Sequence, residues 1–213
     1  GGEDEGKGSR PAGPLLEGLE LHVAPGELVA VVGAVGSGKS TVLQALLGEA
    51  SPCPGSGEGT WPTACGRIAS CSQEPWLLDG TVRENVTLSH EGEPGAARVD
   101  EKRYAAALEA CCLGPDLAAL PGGDGCVVGE NGVTLSGGQR ARVALARAAY
   151  SGAGLVLLDD PLAAVDPEVV ERLFTGCIRG PLMREAGRVL VTHQRQVLSR
   201  CDRVVVLGAG GRP

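Results

Sequence analysis

The chain has 213 residues, a length typical of one α/β domain with enough residues to bury a substantial core. Hydrophobic residues make up 43% of the chain and its formal net charge is −7. This composition excludes a disordered tail and argues against nucleic acid as the main partner, because no global positive field attracts phosphates. No apolar run reaches the ~18 residues that a membrane-spanning helix requires.

The N-terminal stretch GGEDEGKGSRPAG is polar and rich in glycine, which predicts a flexible loop over residues 1–14. The chain starts without methionine and shows no signal peptide, so we interpret residues 1–213 as a single domain cut from a longer polypeptide. Its eight cysteines form no CxxC pair and no cluster with zinc spacing. Reduced thiols in a cytosolic compartment are therefore expected.

Four short aliphatic runs predict the buried strands of a parallel sheet, because each is apolar on both faces. They lie at residues 28–32, 155–158, 189–191 and 204–207. The segments between them predict helices at 39–47, 104–113, 139–150 and 168–178, with Gly48 as the C-cap of the first. Strands that alternate with helices predict a wound α/β layer.

Two further patterns concern loops and the faces of one helix. The stretch 51–66 is rich in Pro, Gly and Ser and predicts a loop, free-standing or within an antiparallel subdomain, and 90–99 predicts a loop insertion. In the helix at 139–150, four apolar residues are expected to face the core, namely Val143, Ala144, Leu145 and Ala148. Its three arginines are expected to face the solvent, namely Arg140, Arg142 and Arg147.

A glycine-rich stretch follows the first predicted strand and matches the phosphate-binding pattern GxxxxGK[ST]. It consists of Gly33, Ala34, Val35, Gly36, Ser37, Gly38, Lys39, Ser40 and Thr41. Glycines let the backbone curl, so that its N–H groups and the N-terminus of the next helix point at a phosphate. In this pattern Lys39 reaches the β- and γ-phosphates, Ser40 ligates Mg²⁺ and Thr41 meets the α-phosphate. The alternative is a glycine-rich turn with an incidental lysine. It does not explain why a strand directly precedes the loop and a helix directly follows it.

Asp159 and Asp160 directly follow the aliphatic run LVLL. A carboxylate that leaves a strand next to a phosphate-binding loop suits Mg²⁺ and its water. The alternative is a polar strand end that merely faces the solvent. Since a phosphate-binding loop lies upstream, we predict that Asp159 ligates a Mg²⁺ ion that accompanies the bound phosphates.

The segment between these two motifs distinguishes among nucleotide-binding proteins. The sequence LSGGQ resembles the signature of the ATP-binding cassette superfamily, and it comprises Leu135, Ser136, Gly137, Gly138 and Gln139. Gln73 in CSQEPW resembles the Q-loop of that superfamily, Asp166 in AAVD its D-loop and His193 in LVTH its switch histidine. The five motifs stand in the order of the family and cover most of the chain.

The resemblance implies a P-loop NTPase fold, with a wound, mostly parallel sheet, helices on both faces, a small antiparallel β subdomain and a helical subdomain that carries the signature. It implies ATP and Mg²⁺ as ligands, with Gln73 near the metal and the attacking water and His193 on the γ-phosphate. It also implies a second nucleotide-binding domain as partner. The helix start at Ser136 would then bind the ATP of that partner, and Asp166 would act across the interface.

Longer stretches resemble one branch of the superfamily. SQEPWLLDGTVREN, at 72–85, resembles the exporter type, in which the segment 73–85 meets the membrane domain. GENGVTLSGGQRARVALARA and LLDDPLAAVD resemble the first nucleotide-binding domain of the multidrug resistance-associated (C) subfamily. The implied location is the cytoplasmic face of a membrane, within an integral membrane protein.

The chain departs from the family pattern at two places. Most members have Glu after the Mg²⁺-binding Asp, whereas this chain has Asp160. The Asp side chain is one methylene shorter, so its carboxylate lies farther from the water that a general base must reach. We therefore predict slow hydrolysis, whether the chain serves an exporter ATPase or a regulatory module of a channel or receptor.

No aromatic residue precedes Gly33 to stack on adenine, so that residue is either missing from the site or lies before Gly1. A soluble cassette of DNA repair or translation is disfavoured by the acidic composition.

Overall fold

The computed structural model describes residues 16–51, 66–89, 98–129 and 132–208. The loop predicted at 1–14 lies outside these residues, and the loops predicted at 51–66 and 90–99 lie largely outside them. In chain order the elements are β1 (Leu28–Gly33), α1 (Lys39–Leu47), β2 (Ile68–Cys71), β3 (Gly80–Thr81), α2 (Val82–Thr87), α3 (Glu101–Ala110), α4 (Gly114–Ala119), β4 (Val127–Val128), α5 (Gly137–Tyr150), β5 (Leu155–Asp159), α6 (Pro167–Leu173), β6 (Gly187–Val191), α7 (Arg195–Leu198) and β7 (Arg203–Leu207).

The central sheet has five parallel strands in the order β2-β5-β6-β1-β7. The four predicted strands are confirmed, and each is one or two residues longer than its aliphatic run. The predicted burial is wrong for β7, because it is an edge strand whose Val204 and Val206 are exposed. The sequence does not predict the fifth strand, β2, which forms one edge of the sheet. Its four residues, IASC, include an exposed serine, and Cys71 is its only fully buried residue.

Alternate residues of the central strands pack into two separate cores, because successive side chains of a strand point to opposite faces of the sheet. In β5, Val156 and Leu158 belong to the larger core, which also contains the apolar face of α5. Leu157, between them, packs in the smaller core with Val42 and Leu43 of α1. Helices therefore cover both faces of the sheet, as the resemblance implies.

Most helices begin and end close to their predicted bounds. α1 spans the predicted residues, and Gly48 ends it in the left-handed conformation. α3 begins three residues before the predicted start, because Asp100 accepts a hydrogen bond from the N–H of Arg103 as its N-cap. The helix predicted at 168–178 consists of α6 and a π-helical turn at Phe174–Ile178.

Two of the three arginines predicted to face the solvent from α5 do not. Arg147 is only 7% exposed, and its Nε donates to the backbone oxygen of Asn85 at 2.6 Å. Arg142 Nη2 donates to both carboxylate oxygens of Asp116, at 2.7 and 2.8 Å. Arg140 alone of the three is exposed. The prediction was wrong for Arg142 and Arg147 because both find acceptors on other elements, which offsets the loss of water.

A second, two-stranded sheet pairs β3 with β4 in antiparallel register, with Gly80 opposite Val128 and Thr81 opposite Val127. It is the small antiparallel unit that the resemblance implies, and it lies apart in sequence from the stretch 51–66. The pairing joins the segment before α2 to the segment that leads to the LSGGQ motif. Among the described helices, none has both the length and the apolar character needed to cross a bilayer.

Candidate nucleotide-binding site

The predicted site segments meet where the strands of the central sheet end, because the carboxyl ends of parallel strands lie on the same side. We call this side the carboxyl edge of the sheet. Asp159 of β5 lies beside Val191 of β6, and Val191 lies beside Val31 of β1. Cys71 of β2 lies beside Leu158. At or just beyond these strand ends the chain reaches four predicted site residues: Gly33, Gln73, Asp160 and His193.

The loop between β1 and α1 is a tightly curled backbone. Gly36 and Gly38 have φ values of 80° and 91°, which glycine adopts without steric cost. A Cβ atom on Gly33 would stand 2.5 Å from Ser37 Oγ and 2.6 Å from the backbone oxygen of Leu207, so no side chain fits there. A backbone with this curvature presents successive N–H groups to one centre, as a phosphate cradle requires.

Two side chains of this loop are arranged as a phosphate site requires. Lys39 is 8% exposed, and its Nζ donates to the backbone oxygens of Gly33 at 3.0 Å and Ala34 at 2.8 Å. The ammonium is therefore held over the loop by carbonyl groups. Ser37 Oγ is buried and has no hydrogen-bond partner within the described part of the chain. A triphosphate supplies an anion for the ammonium and acceptors for hydroxyl groups, so these residues fit a bound nucleotide.

Asp160 has a φ of 45°, a left-handed value that is several-fold more common for Asp than for most residues with a side chain. Its N–H donates to the backbone oxygen of Val191 at 2.9 Å. Its Oδ1 accepts from Thr192 Oγ1 at 3.3 Å, and that hydroxyl in turn accepts from the N–H of Gln194 at 3.0 Å. Thr192, which follows the end of β6, therefore orients the Asp160 carboxylate. Sequence analysis missed Thr192, although it directly precedes His193 in LVTH.

Oxygen donors suited to a divalent cation surround the same edge. Asp159 ends β5 with its side chain half-buried, and Ser40 lies exposed in the first turn of α1. Gln73 and His193 are exposed in the loops that follow β2 and β6. Carboxylate, hydroxyl and amide oxygens are the ligands that Mg²⁺ accepts together with phosphates and water. The three oxygen-bearing residues, Ser40, Gln73 and Asp159, are therefore the candidates to hold the metal.

The LSGGQ motif forms the start of α5. Ser136 Oγ accepts from the N–H of Gln139 at 3.2 Å, and Gln139 Oε1 accepts from the N–H of Ser136 at 2.8 Å, which makes a capping box. Leu135 is buried in the larger core and anchors the motif. The N–H groups of Gly137 and Gly138 lie in the first turn, where no helical carbonyl is within reach. Together with the helix dipole, they suit an anion.

The signature packs directly on the loop that leads to Asp166. A Cβ atom on Gly138 would stand 2.8 Å from the backbone oxygen of Ala164, so only glycine allows this approach. Asp166 itself is exposed, and its backbone oxygen accepts from the N–H of Val169 at 2.9 Å as α6 begins. The structure thus brings two predicted interface motifs, the signature and the D-loop, into contact with each other.

The segment that follows Gln73 is fastened to α5 by two buried polar residues that sequence analysis missed. Arg147 Nη1 and Nη2 each donate to the backbone oxygen of Trp76 at 3.2 Å, and the guanidinium lies 3.8 Å from the centre of the Trp76 ring. Asn85 Oδ1 accepts from Arg147 Nη2 and from the N–H of Leu78. Burial lowers the pKa of Arg147 to about 10, so its side chain stays charged at neutral pH.

Large apolar side chains of the same segment face outward. Trp76 is 49% exposed, Leu78 39% and Leu88 54%. Leu88 ends α2 with a φ of 52°, which holds its side chain at the end of the helix. We call these three residues the apolar patch. Arg147 and Asn85 hold the backbone at Trp76 and Leu78 by hydrogen bonds, whereas the N–H of Leu88 donates to the backbone oxygen of Glu84.

Comparison with known proteins gives consistent matches. The family model described as "ABC transporter" matches residues 16–163. The chain is 46% identical over 197 residues to ATP-binding cassette sub-family C member 4 of Homo sapiens, covering 92% of this chain and 14% of that protein. It is 45% identical to Probable multidrug resistance-associated protein lethal(2)03659 of Drosophila melanogaster, over 92% of this chain and 13% of that protein. It is 44% identical to ATP-binding cassette sub-family C member 2 of Mus musculus, over 92% and 12%. The chain therefore spans 12–14% of the length of these relatives.

Proposed function

This chain belongs to the ABC transporter family, and we propose that it is the ATP-binding and ATP-hydrolysing module of an exporter of the multidrug resistance-associated (C) subfamily. The chain would lie on the cytoplasmic face of a membrane, as part of a longer integral membrane protein. It would power or gate transport by ATP-dependent pairing with a second nucleotide-binding domain. The observation that carries the proposal is that the loop 33–41 (the P-loop), Asp159 and His193 all follow or end strands at the carboxyl edge of the central sheet.

In this proposal ATP lies on the curl of the loop 33–41. Lys39 exchanges its two carbonyl partners for the β- and γ-phosphates, to which an ammonium binds more strongly. Ser40, Gln73 and Asp159 would hold Mg²⁺, which would neutralise charge on the phosphates. His193 would hold the γ-phosphate, and Asp160, whose carboxylate accepts a hydrogen bond from Thr192, would orient or deprotonate the attacking water.

We propose that hydrolysis at this site is slow, because the side chain of Asp160 is short and its orientation is fixed. Its backbone is bonded to β6 and its carboxylate to Thr192, so it cannot extend toward a water as a longer glutamate can. A shortfall of ~1 Å at a reacting group can lower a rate by ~10²-fold. The chain would then mainly hold ATP, and its signature would complete the faster site on the second domain.

The position of the chain within the longer protein is also part of the proposal. An Asp at position 160 resembles the first of the two nucleotide-binding domains in this subfamily. DDPLAAVD, followed by CIRGPL, resembles multidrug resistance-associated protein 7 in particular. The chain matches only a small part of each relative, which leaves room for membrane domains and a second cassette in the same polypeptide.

The apolar patch supports the proposed contact between segment 73–85 and the membrane domains. Three large apolar side chains exposed on one segment are typical of a surface that binds another protein domain. Because Arg147 and Asn85 bind the backbone of this segment, a displacement of the patch would move α5 and its signature as one body. The patch would extend past the predicted segment to Leu88.

Replacing Lys39 with alanine is expected to weaken Mg-ATP binding by about 30-fold, because charge-assisted hydrogen bonds contribute about 2 kcal/mol. The measurement is a titration of the purified chain with a fluorescent ATP analogue, in Mg²⁺ and again with the metal chelated. Lys102→Ala, which removes an exposed lysine from α3, is the matched control and should bind like the unmodified chain. Equal affinity of all three proteins would contradict a nucleotide site at the loop 33–41.

A regulatory module of a channel or receptor is the second candidate function, and the slow hydrolysis expected of Asp160 fits both candidates. In such a protein ATP binding gates the membrane domains and hydrolysis at this site is dispensable. The two candidates differ in whether the full-length protein needs hydrolysis at either of its two sites. An ATP analogue that cannot be hydrolysed should stop transport by an exporter, whereas it should still gate a channel or receptor.

A further inference from the structure

Asp116, in α4, contacts two residues of α5, although no sequence motif includes it. Its Oδ1 accepts from Gln139 Nε2 at 3.1 Å. Both of its carboxylate oxygens accept from Arg142 Nη2, at 2.8 and 2.7 Å. The side chains of Asp116 and Arg142 are 17% and 11% exposed, so the pair is shielded from water and is stronger than an ordinary surface pair.

Gln139 is the last residue of the signature, and Asp116 fixes the amide nitrogen of its side chain by a hydrogen bond. Gln139 Nε2 donates to Asp116, while Gln139 Oε1 accepts from the N–H of Ser136 at 2.8 Å. One amide group thus joins α4 to the N-cap of α5. With the N–H of Ser136 occupied in this way, the N–H groups of Gly137 and Gly138 are the ones that remain for an anion.

A carboxylate near the N-terminus of a helix would by itself disfavour a bound phosphate. Arg142 offsets that charge. Its guanidinium lies next to the signature: the distance from Arg142 Nη1 to the position that a Cβ atom on Gly138 would occupy is 3.6 Å. Asp116 and Arg142 therefore fix the geometry of the helix start without adding net negative charge to it.

We infer that Asp116 is a positioning residue of the signature, which acts through Gln139 and Arg142 on the ATP bound by the partner domain. The inference rests on the proposed pairing of the two domains. Asp116 touches no nucleotide in this arrangement. Its loss releases the Gln139 side chain and leaves the Arg142 guanidinium without its carboxylate, so the first turn of α5 loses its fixed orientation.

The test uses the full-length protein that contains this chain, with four single variants. Asp116→Ala removes all three hydrogen bonds, and Asp116→Asn keeps the shape and an acceptor for Gln139. Asp124→Ala is the matched control, since that carboxylate contacts Tyr104 and Arg83 instead. Gly137→Asp places a negative charge at the signature itself. Three quantities are measured: kcat/KM for ATP, photolabelling of this cassette by 8-azido-ATP at low temperature, and the Tm.

Asp116→Ala is expected to lower kcat/KM by about tenfold, with Asp116→Asn between it and the unmodified protein. Photolabelling should stay unchanged, because the P-loop of this chain is intact, and the Tm should stay well above the assay temperature, so that unfolding does not account for the loss of turnover. If Gly137→Asp abolishes turnover but Asp116→Ala behaves like Asp124→Ala, the inference fails and the pairing stands. If Gly137→Asp leaves turnover intact, the signature does not serve a partner, and both proposals fail.

Discussion

Replacing Arg147 with methionine is expected to lower the free energy of unfolding by about 3 kcal/mol. Arg147 donates four hydrogen bonds, two to Asn85 and two to the backbone oxygen of Trp76. Methionine has a similar length and keeps much of the packing, but it donates nothing. The acceptors on Asn85, which is fully buried, would then lose a partner that water cannot replace.

The measurement is urea unfolding of the purified chain, in which a loss of about 3 kcal/mol shifts the midpoint by about 1–2 M at ordinary m-values. Arg140→Met is the matched control, because Arg140 lies exposed on the same helix and should change stability by less than about 0.5 kcal/mol. A variant at Arg147 as stable as the one at Arg140 would contradict the role given to the buried guanidinium.

A double-mutant cycle with Asn85→Ala separates the contact from general packing. If Arg147 and Asn85 stabilise the fold through each other, the two losses should fall short of additivity by about 1 kcal/mol or more. Simple additivity would mean that each residue is held by other contacts. The same pair joins the apolar patch to the signature helix, so its loss should also loosen Trp76, which the guanidinium covers on one face.

Local sequence patterns predicted the parts of the fold that depend on neighbouring residues. Each of the four predicted strands is an unbroken aliphatic run, and α1 has both a phosphate-binding loop before it and Gly48 after it. The same locality explains why the P-loop and Asp159 were found. Strand β2 was missed because its four residues include a serine and only one fully buried side chain. Its place in the sheet depends on pairing with β5, whose partner residues lie 87 positions later in the chain, with Leu155 opposite Ile68.

The buried arginines show where local reasoning fails. On a helix surface an arginine is expected to face water, and nothing within α5 contradicts that expectation for Arg147. Its acceptors lie 62 and 71 residues earlier in the chain. The partner of Arg142 lies 26 residues earlier, on α4. The left-handed backbone of Asp160 likewise follows from its bond to β6 and is not evident from the letters LLDDP.

Replacing Asp160 with glutamate is expected to raise ATP turnover at this site by about 10- to 100-fold, because the added methylene brings the carboxylate closer to the attacking water. The affinity for Mg-ATP should not change, since the loop 33–41 follows β1, whereas Asp160 follows β5. The left-handed φ of 45° suits Asp better than Glu, and the contact with Thr192 is lost, so stability should fall by about 1 kcal/mol. Turnover and binding are measured on the same preparation.

Asp160→Asn is the matched control, because asparagine keeps the shape and tolerates the same backbone conformation but cannot accept a proton. Its turnover should fall below that of the unmodified chain. This order, with Glu above Asp and Asp above Asn, is expected only if the group at position 160 acts on the water. Equal turnover of the Glu and Asp forms, with binding intact, would show that side-chain reach is not limiting. The rate would then depend on the signature supplied by the second domain, and the isolated chain would be slow whichever carboxylate it carries.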